Sequence, residues 1–343
     1  MFGTNDESPS GRAFSATDAF DFNQFNQQRK TAWHQQAIRL APGELGFCVN
    51  GVELADGVYV DETWLSGAAS LEANVHPDSL LIGLFTGDGL RLQGSAIRSP
   101  HVCVTPPGAR WDAASERGGH WQAVHLSGPS LRDLMGESTA AHVAALAEIA
   151  QGGTITVAPT ETARALHEVL RELLRAGGTA DRKSSGSPAM IAKLKSLSGA
   201  VVKEILTGEA ERLARSAHRR AHVARAAAGM IWANVQSGTV NGIELDDVAR
   251  ALGVSRRTVQ LAFTEYFGVS FRTLHHAARL HRAHVMIRAQ GHELSVTQIA
   301  TRCGFAHLGR FSRYYQRMFG RLPRETRSIA WSGRAADRRT AGE

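Results

Sequence analysis

Ten residues near the C-terminal end stand at positions from which base pairs could be read, nine of them with side chains that could touch base edges and Gly309 with backbone alone. They form two groups, Arg256, Arg257, Gln260, Leu261 and Thr264, then His307, Gly309, Arg310, Ser312 and Arg313. A guanidinium matches the two acceptors of guanine and a glutamine amide matches adenine, and each such bidentate contact discriminates by about 1–3 kcal/mol. Leu261 offers an apolar surface to a thymine methyl. The same arginines also suit phosphate oxygens, which fix register without reading sequence, and the sequence leaves open which of them meet bases.

Other chemistry finds less support. Cys48, Cys103 and Cys303 are far apart and odd in number, neither a disulfide framework nor zinc-ligand spacing, which fits a reducing cytoplasm. Cys48 and Cys103 sit in strand-like apolar runs, and Cys48 has no basic neighbour to lower its thiol pKa, so no nucleophile is expected. His76, His101, His120 and His125 do not make a His-x-His-x3-4-Glu metal cluster. His120 and His125 stand an odd number of residues apart and point to opposite faces of a regular strand. No catalytic residue, metal or cofactor is therefore expected. Trp64, Trp111 and Trp121 are candidates to line an effector pocket, and equally candidates for plain core.

The reading groups need elements to hold them. Leu245, Val248, Ala249 and Leu252 share one face of a helix over Ile243–Leu252, and Gly253 stands where that helix must end in a left-handed residue. Ser255 then sits at an N-cap position before a helix that buries Val259, Ala262, Phe263 and Phe267 and stops at Gly268. A helix, a short glycine turn and a capped second helix make a helix-turn-helix unit. The pattern returns about fifty residues later. Ser295 caps Val296, Ile299, Ala300 and Cys303, Gly304 turns, and a helix burying Phe311, Tyr315 and Phe319 ends at Gly320. Between the units, Phe271–Gln290 predicts a helix of roughly 30 Å at 1.5 Å per residue. That is close to the ~34 Å between successive major grooves on one side of B-DNA.

Charge agrees with this division. From Ala217 to Glu343 stand 20 arginines, no lysine and 8 acidic residues, a balance of +12, against −5 for the preceding part of this 343-residue chain. A basic end joined to a mildly acidic body is the footprint of a nucleic-acid-binding domain beside something that does not bind nucleic acid. The sequence has no run of eighteen apolar residues, and its first thirty residues are polar, so neither a membrane span nor a secretory signal is expected.

The rest divides by period. Residues 1–30 read as a flexible tail. Residues 31–135 carry short apolar runs such as Gly57–Val60, Leu80–Phe85 and His101–Val104, separated by Asn50-Gly51, Gly87-Asp88-Gly89 and Pro106-Pro107-Gly108, and predict a β sandwich or small barrel. Residues 136–216 predict a helical connector, with Ala165, Leu166, Val169, Leu170 and Leu173 in one stripe and Ile191, Leu194, Leu197, Val201 and Ile205 in another. These helices suit a dimer interface and suit equally a cover over the open face of the β domain. Residues 217–330 hold the paired units, and 331–343 read as a second flexible tail.

The C-terminal part resembles the AraC/XylS family of bacterial transcription regulators. The residues that carry the resemblance are Leu252-Gly253-Val254-Ser255 with Phe263 and Gly268, then Arg279-Leu280 with Ala283 and Ile287. They continue with Ile299-Ala300, Cys303-Gly304-Phe305, Phe311, Tyr315, Phe319-Gly320, Pro323 and Arg327. Phe271, His275-His276 and Tyr315 depart from the family's usual proline, aromatic-aliphatic pair and phenylalanine. Leu308 and Gly309 lie where members often carry polar groups, so the first unit is expected to supply more specificity and the second more backbone affinity.

The resemblance implies an α+β multidomain protein: an N-terminal β-barrel, cupin-like effector domain, a helical connector and an all-α domain with two helix-turn-helix units. It implies a cytoplasmic regulator, an activator or a repressor, binding double-stranded promoter DNA and a small-molecule effector as a homodimer, with RNA polymerase as a further partner of an activator. The alternative is a DNA-acting enzyme carrying the paired units as an accessory module.

Overall fold

The computed structural model describes residues 13–16, 33–43, 45–54, 57–86, 90–96, 100–136, 139–150, 153–177, 187–210, 218–237, 243–290 and 293–340. Twelve strands lead the described residues: β1 Ala13–Ala16, β2 Trp33–Arg39, β3 Gly46–Glu53, β4 Val58–Ser66, β5 Ala69–Val75, β6 Ser79–Phe85, β7 Leu90–Leu92, β8 Ser95–Ala96, β9 His101–Thr105, β10 Arg110–Ser115, β11 Gly118–Ser127 and β12 Ile155–Val157. Strand β6 shows how they are used. Its sequence SLLIGLF alternates nothing and all seven residues are buried, because both of its faces are covered. Leu81 and Phe85 point into one apolar cluster, and Leu80, Ile82 and Leu84 into another.

The strands form two antiparallel sheets, a larger one in the order β1-β3-β4-β11-β6-β9-β12 and a smaller one in the order β2-β5-β10-β7-β8. This corrects the expected barrel. Strand rhythm reports strands and turns, whereas closure requires end strands to pair, and here β1 and β12 end one sheet while β2 and β8 end the other. The facing sides bury Phe47, Leu71, Leu81, Phe85, Trp111 and Trp121.

Helices α1 Pro129–Met135 and α2 Thr139–Ala150 lie between β11 and β12, and α3 Glu161–Gly177 and α4 Pro188–Thr207 follow β12. Leu166, Val169, Leu170 and Leu173 of α3, with Ile191, Leu194, Val201 and Ile205 of α4, pack on the outer face of the larger sheet. These helices cover the open face of the β layer. The connector also contributes β12, which extends the larger sheet by pairing with β9.

The remaining helices are α5 His218–Ser237, α6 Leu245–Ala251, α7 Arg256–Phe267, α8 Phe271–Gln290, α9 Val296–Arg302, α10 Leu308–Phe319 and α11 Pro323–Thr340. They form two clusters. Ala224, Ala227, Ile231, Val248, Phe263 and Phe271 lie in the first, which also takes in Ile38, Leu40 and Ala114 from the β layer. Leu280, Ala283, Ile287, Ile299, Phe311 and Tyr315 make the second. Most of the expected tail at 1–30 lies outside the described residues, whereas the expected tail at 331–343 is described up to Thr340 and is helical there. Where described, Ala13–Ala16 pairs with β3 and α11 continues to Thr340.

Burial holds His101 and His275 neutral, their imidazoles pushed down to about 4 from an ordinary 6.5, the charge of Arg279 adding to the effect at His275. An unfolded chain takes up these protons near pH 6.5, and the folded chain takes them up only near pH 4. Stability is therefore expected to fall as the pH drops through that window and to be insensitive to these groups above it. Thermal unfolding across the window should show the fall. His101→Leu should flatten it, and an unchanged slope in that variant would remove His101 as a source.

Candidate nucleic-acid interface

Two short-helix, long-helix pairs position the candidate reading residues. In the first, Leu252 caps the end of α6 and Gly253 turns the chain at φ +62°. The Val254 amide returns to the Ala249 carbonyl at 3.0 Å, and the Ser255 hydroxyl oxygen accepts the Thr258 N–H at 3.1 Å to start α7. In the second pair, the Ser295 hydroxyl oxygen accepts the Gln298 N–H at 3.2 Å. The Gln298 side-chain oxygen in turn accepts the Ser295 N–H at 2.8 Å, which closes a capping box at the start of α9. Gly304 turns at φ +76°, and Phe305 N–H bonds the Ala300 carbonyl at 2.9 Å before α10 begins. Both turns place a left-handed residue at the same point, which a side chain would strain.

Helix phase then decides what faces out. On α7, Val259, Ala262, Phe263, Tyr266 and Phe267 are buried, and Arg256, Arg257, Gln260, Leu261 and Thr264 are exposed together on the opposite side. Their freedom differs. Arg256 pairs with Asp246 of α6 at 3.0 Å, and the Thr264 hydroxyl donates to the Gln260 carbonyl at 3.1 Å. On α10, Phe311, Tyr315 and Met318 are buried and Phe319 is half-buried. His307, Leu308, Gly309, Arg310 and Arg313 are exposed, with Ser312 half-buried beside them. The N-cap residue of α10, His307, makes no side-chain capping bond, so the first amides of that helix point outward as donors suited to a phosphate.

Arg279 of α8 fixes the second turn. Its Nε donates to the Cys303 carbonyl at 2.8 Å and its Nη2 to the Gly304 carbonyl, while its guanidinium lies 4.4 Å from the Phe305 ring centroid. The departures from the family pattern also find partners. Phe271 packs edge-on against Phe263 with centroids 5.3 Å apart, and His276 meets Tyr314 edge-on at 4.8 Å. The Tyr315 hydroxyl lies 2.7 Å from Nδ1 of the buried His284, which stacks on Phe319. Burial and the charges of Arg279 and Arg272 lower the His276 pKa, so His275 and His276 add no positive charge to this face at neutral pH.

Sequence reasoning missed Tyr314, exposed on α10 next to the candidate reading face, because its neighbour Tyr315 carried the core signal.

The three tryptophans separate. Trp111 and Trp121 are 1% and 2% exposed between the sheets, whereas Trp64 is 41% exposed and stacks on His120 at 5.0 Å. His120 and His125 take opposite faces of β11, bonded to Glu62 at 2.8 Å and Asp61 at 3.0 Å. Burial raises the Glu62 pKa, but hydrogen bonds from His120 and Gln122 outweigh it and the net shift is downward. Burial pushes the Cys103 thiol well above its usual range and the Cys303 thiol up to about 11, the reverse of what a thiolate nucleophile needs.

The Tyr315–His284 bond predicts coupling. Tyr315→Phe should cost about 1–2 kcal/mol in urea unfolding, and adding His284→Leu should cost less than the sum of the two single losses. Additive losses would show that the pair contributes nothing jointly.

Residues 248–329 match the family model described as a helix-turn-helix domain. The xylose operon regulatory protein of Escherichia coli K12 is 26% identical over 95 residues, 28% of this chain and 24% of that protein. The HTH-type transcriptional regulator GbdR of Pseudomonas aeruginosa is 31% identical over 97 residues, 28% of this chain and 26% of its own length. A crystal structure of a Chromobacterium violaceum transcriptional regulator with an AraC-type DNA-binding domain aligns at 30% identity with a TM-score of 0.29, covering 32% of this chain and 91% of that one. The chain thus spans about a quarter of the length of the curated relatives it matches. The likeness to these regulators is thus carried by about a hundred residues, and residues 248–329 form a helix-turn-helix domain.

Proposed function

We propose that the chain is a sequence-specific DNA-binding transcription regulator in which both helix pairs, α6–α7 and α9–α10, act as helix-turn-helix units. The observation that carries this reading is the pair of exposed polar faces on α7 and α10, each phased by its own glycine turn and joined by the 20-residue α8. A helix of that length suits two successive major grooves on one side of a duplex. In this reading Arg257 and Gln260 read base edges, Arg256 is held toward the backbone by Asp246, and Arg310 and Arg313 supply phosphate contacts. The domains are 31–135 for sensing, 136–216 for the connector and homodimer contact, and 217–330 for DNA.

An effector is proposed to act from the space between the sheets, where Trp111 and Trp121 offer apolar surface. His101 lies in the same layer, stacked on Phe85 at 4.9 Å, with both ring nitrogens buried and unbonded. Such a group is suited to a ligand's polar atom. Cytoplasmic action on promoter DNA, with RNA polymerase as partner if the chain activates, completes the proposal. It is supported by the basic C-terminal end and by the absence, among the described residues, of any helix long and apolar enough to cross a membrane.

Two measurements test it. Binding-site selection from random duplex, repeated with Arg257→Ala and Arg313→Ala, should show relaxed base preference for the first variant. The second should show uniformly weaker binding and a salt slope smaller by about one. Equal losses of specificity at both positions would reject the division of labour. Thermal shift of the full chain against a metabolite panel should find a stabilising compound whose effect is lost in His101→Leu, and no stabilisation by any compound would count against effector control.

A further inference from the structure

The outer face of the smaller sheet grips the C-terminal ends of both proposed reading helices. At α7, the buried Tyr266 hydroxyl donates to Oδ2 of Asp112 on β10 at 2.5 Å. Asp112 is braced by Arg110 at 3.4 Å, and Arg110 also pairs with Glu72 of β5. Arg91 of β7 donates to the Glu265 carbonyl at 3.2 Å. Gly94 lies so close that a Cβ there would come within 2.4 Å of the Tyr266 ring. At α10, Nη1 of Arg39, at the end of β2, donates to the Met318 carbonyl at 2.7 Å in a buried bond. Its guanidinium lies 5.9 Å from the Phe319 ring centroid.

These contacts join residues 154 and 279 positions apart in the chain. They leave the proposed reading residues free, since Arg257, Gln260, Arg310 and Arg313 all remain exposed. A single helix between two reading heads can bend and twist, and its heads wander with it. Anchoring both heads to one sheet closes the figure and fixes their relative position.

We infer that the smaller sheet is a template for the two reading helices, and that Asp112, Tyr266 and Arg39 are positioning residues that set those helices for simultaneous engagement of DNA. The inference rests on the DNA-reading role proposed above. It assigns the sensing layer a supporting part in DNA binding, since the grip covers no reading face. Strand β10 gives an occupant of the inter-sheet space a short route to the grip. Trp111 points inward and its neighbour Asp112 points outward to Tyr266.

The test compares two duplexes bound by the full chain: a site selected from a random pool, and the same duplex with the second half-site scrambled. Tyr266→Phe keeps the ring and loses only the hydroxyl, and Arg39→Met keeps most of the apolar stem. Each is expected to weaken binding to the complete site about tenfold, through lost preorganisation, and to leave the single half-site within about twofold of wild type. Asp112→Asn keeps an oxygen for the Tyr266 hydroxyl and is expected to bind both duplexes nearly as wild type does. Equal losses on both duplexes would mean general structural damage, and tighter binding to the complete site would mean a restraining latch. Either result, or unchanged binding in both variants, overturns the inference. If the pool yields no enriched sequence, the DNA-reading proposal fails first and this one falls with it. A selected site bound equally by wild type and variants removes the template alone.

Discussion

Helix α8 belongs to two hydrophobic cores at once, and the C-terminal domain is organised around that fact. Phe271, Leu274 and Ala278 are buried with the first helix pair, and Ala277, Leu280, Ala283 and Ile287 with the second. Neither pair could bury its apolar stripe alone, because a two-helix unit has too little interior for an independent core. Each unit is therefore folded against the same rod, and the phase of α8 sets the phase of both. Arg279 reinforces this from the middle of the rod by bonding the carbonyls that end α9. A lysine has one compact donor head and could not span both carbonyls while stacking on Phe305.

The polar residues within this domain follow the same constraint. Tyr315 brings a hydroxyl into an apolar cluster, which is costly unless it is bonded. His284, three turns into α8, faces it at 2.7 Å and stacks on Phe319. His276 similarly fills the space between Tyr314 and Phe305 with its ring edge. The contact between α8 and the second pair therefore accommodates polar rings, Tyr315 with His284 and His276 with Tyr314, while keeping its density.

How much of this was legible in the sequence depends on how far apart the partners lie. The exposed faces of α7 and α10 could be read because Gly253, Ser255 and Gly304 fix where each helix starts, and 3.6-residue phase does the rest. Strands such as β6 and β9 announced themselves as apolar runs, yet the open arrangement of the two sheets did not, since end-strand pairing leaves no local mark. Trp64 has the composition of a core residue, but its register opposite His120 turns it outward. The three residues of β12 fell inside a helical stretch and gave no period of their own. The bonds of Tyr266 to Asp112 and of Arg39 to Met318 had no signature at all, because each partner is ordinary in its own neighbourhood.

The order of layers then sets what lies between the connector helices and the C-terminal helices. Helices α1 to α4 pack on the larger sheet, that sheet packs on the smaller one, and the smaller one packs on α5, α7 and α8. The connector helices are thus separated from α7 by two sheets, although they precede it in sequence. An event at the connector would have to cross the whole sandwich to reach α7. An event between the sheets has only the thickness of one strand to cross, since side chains of β10 alternate between the inter-sheet core and the cluster that holds α5, α7 and α8. Close packing transmits small displacements well over one layer and less specifically over three. The layering therefore couples the inter-sheet core to α7 more directly than it couples the connector helices, which cover the larger sheet.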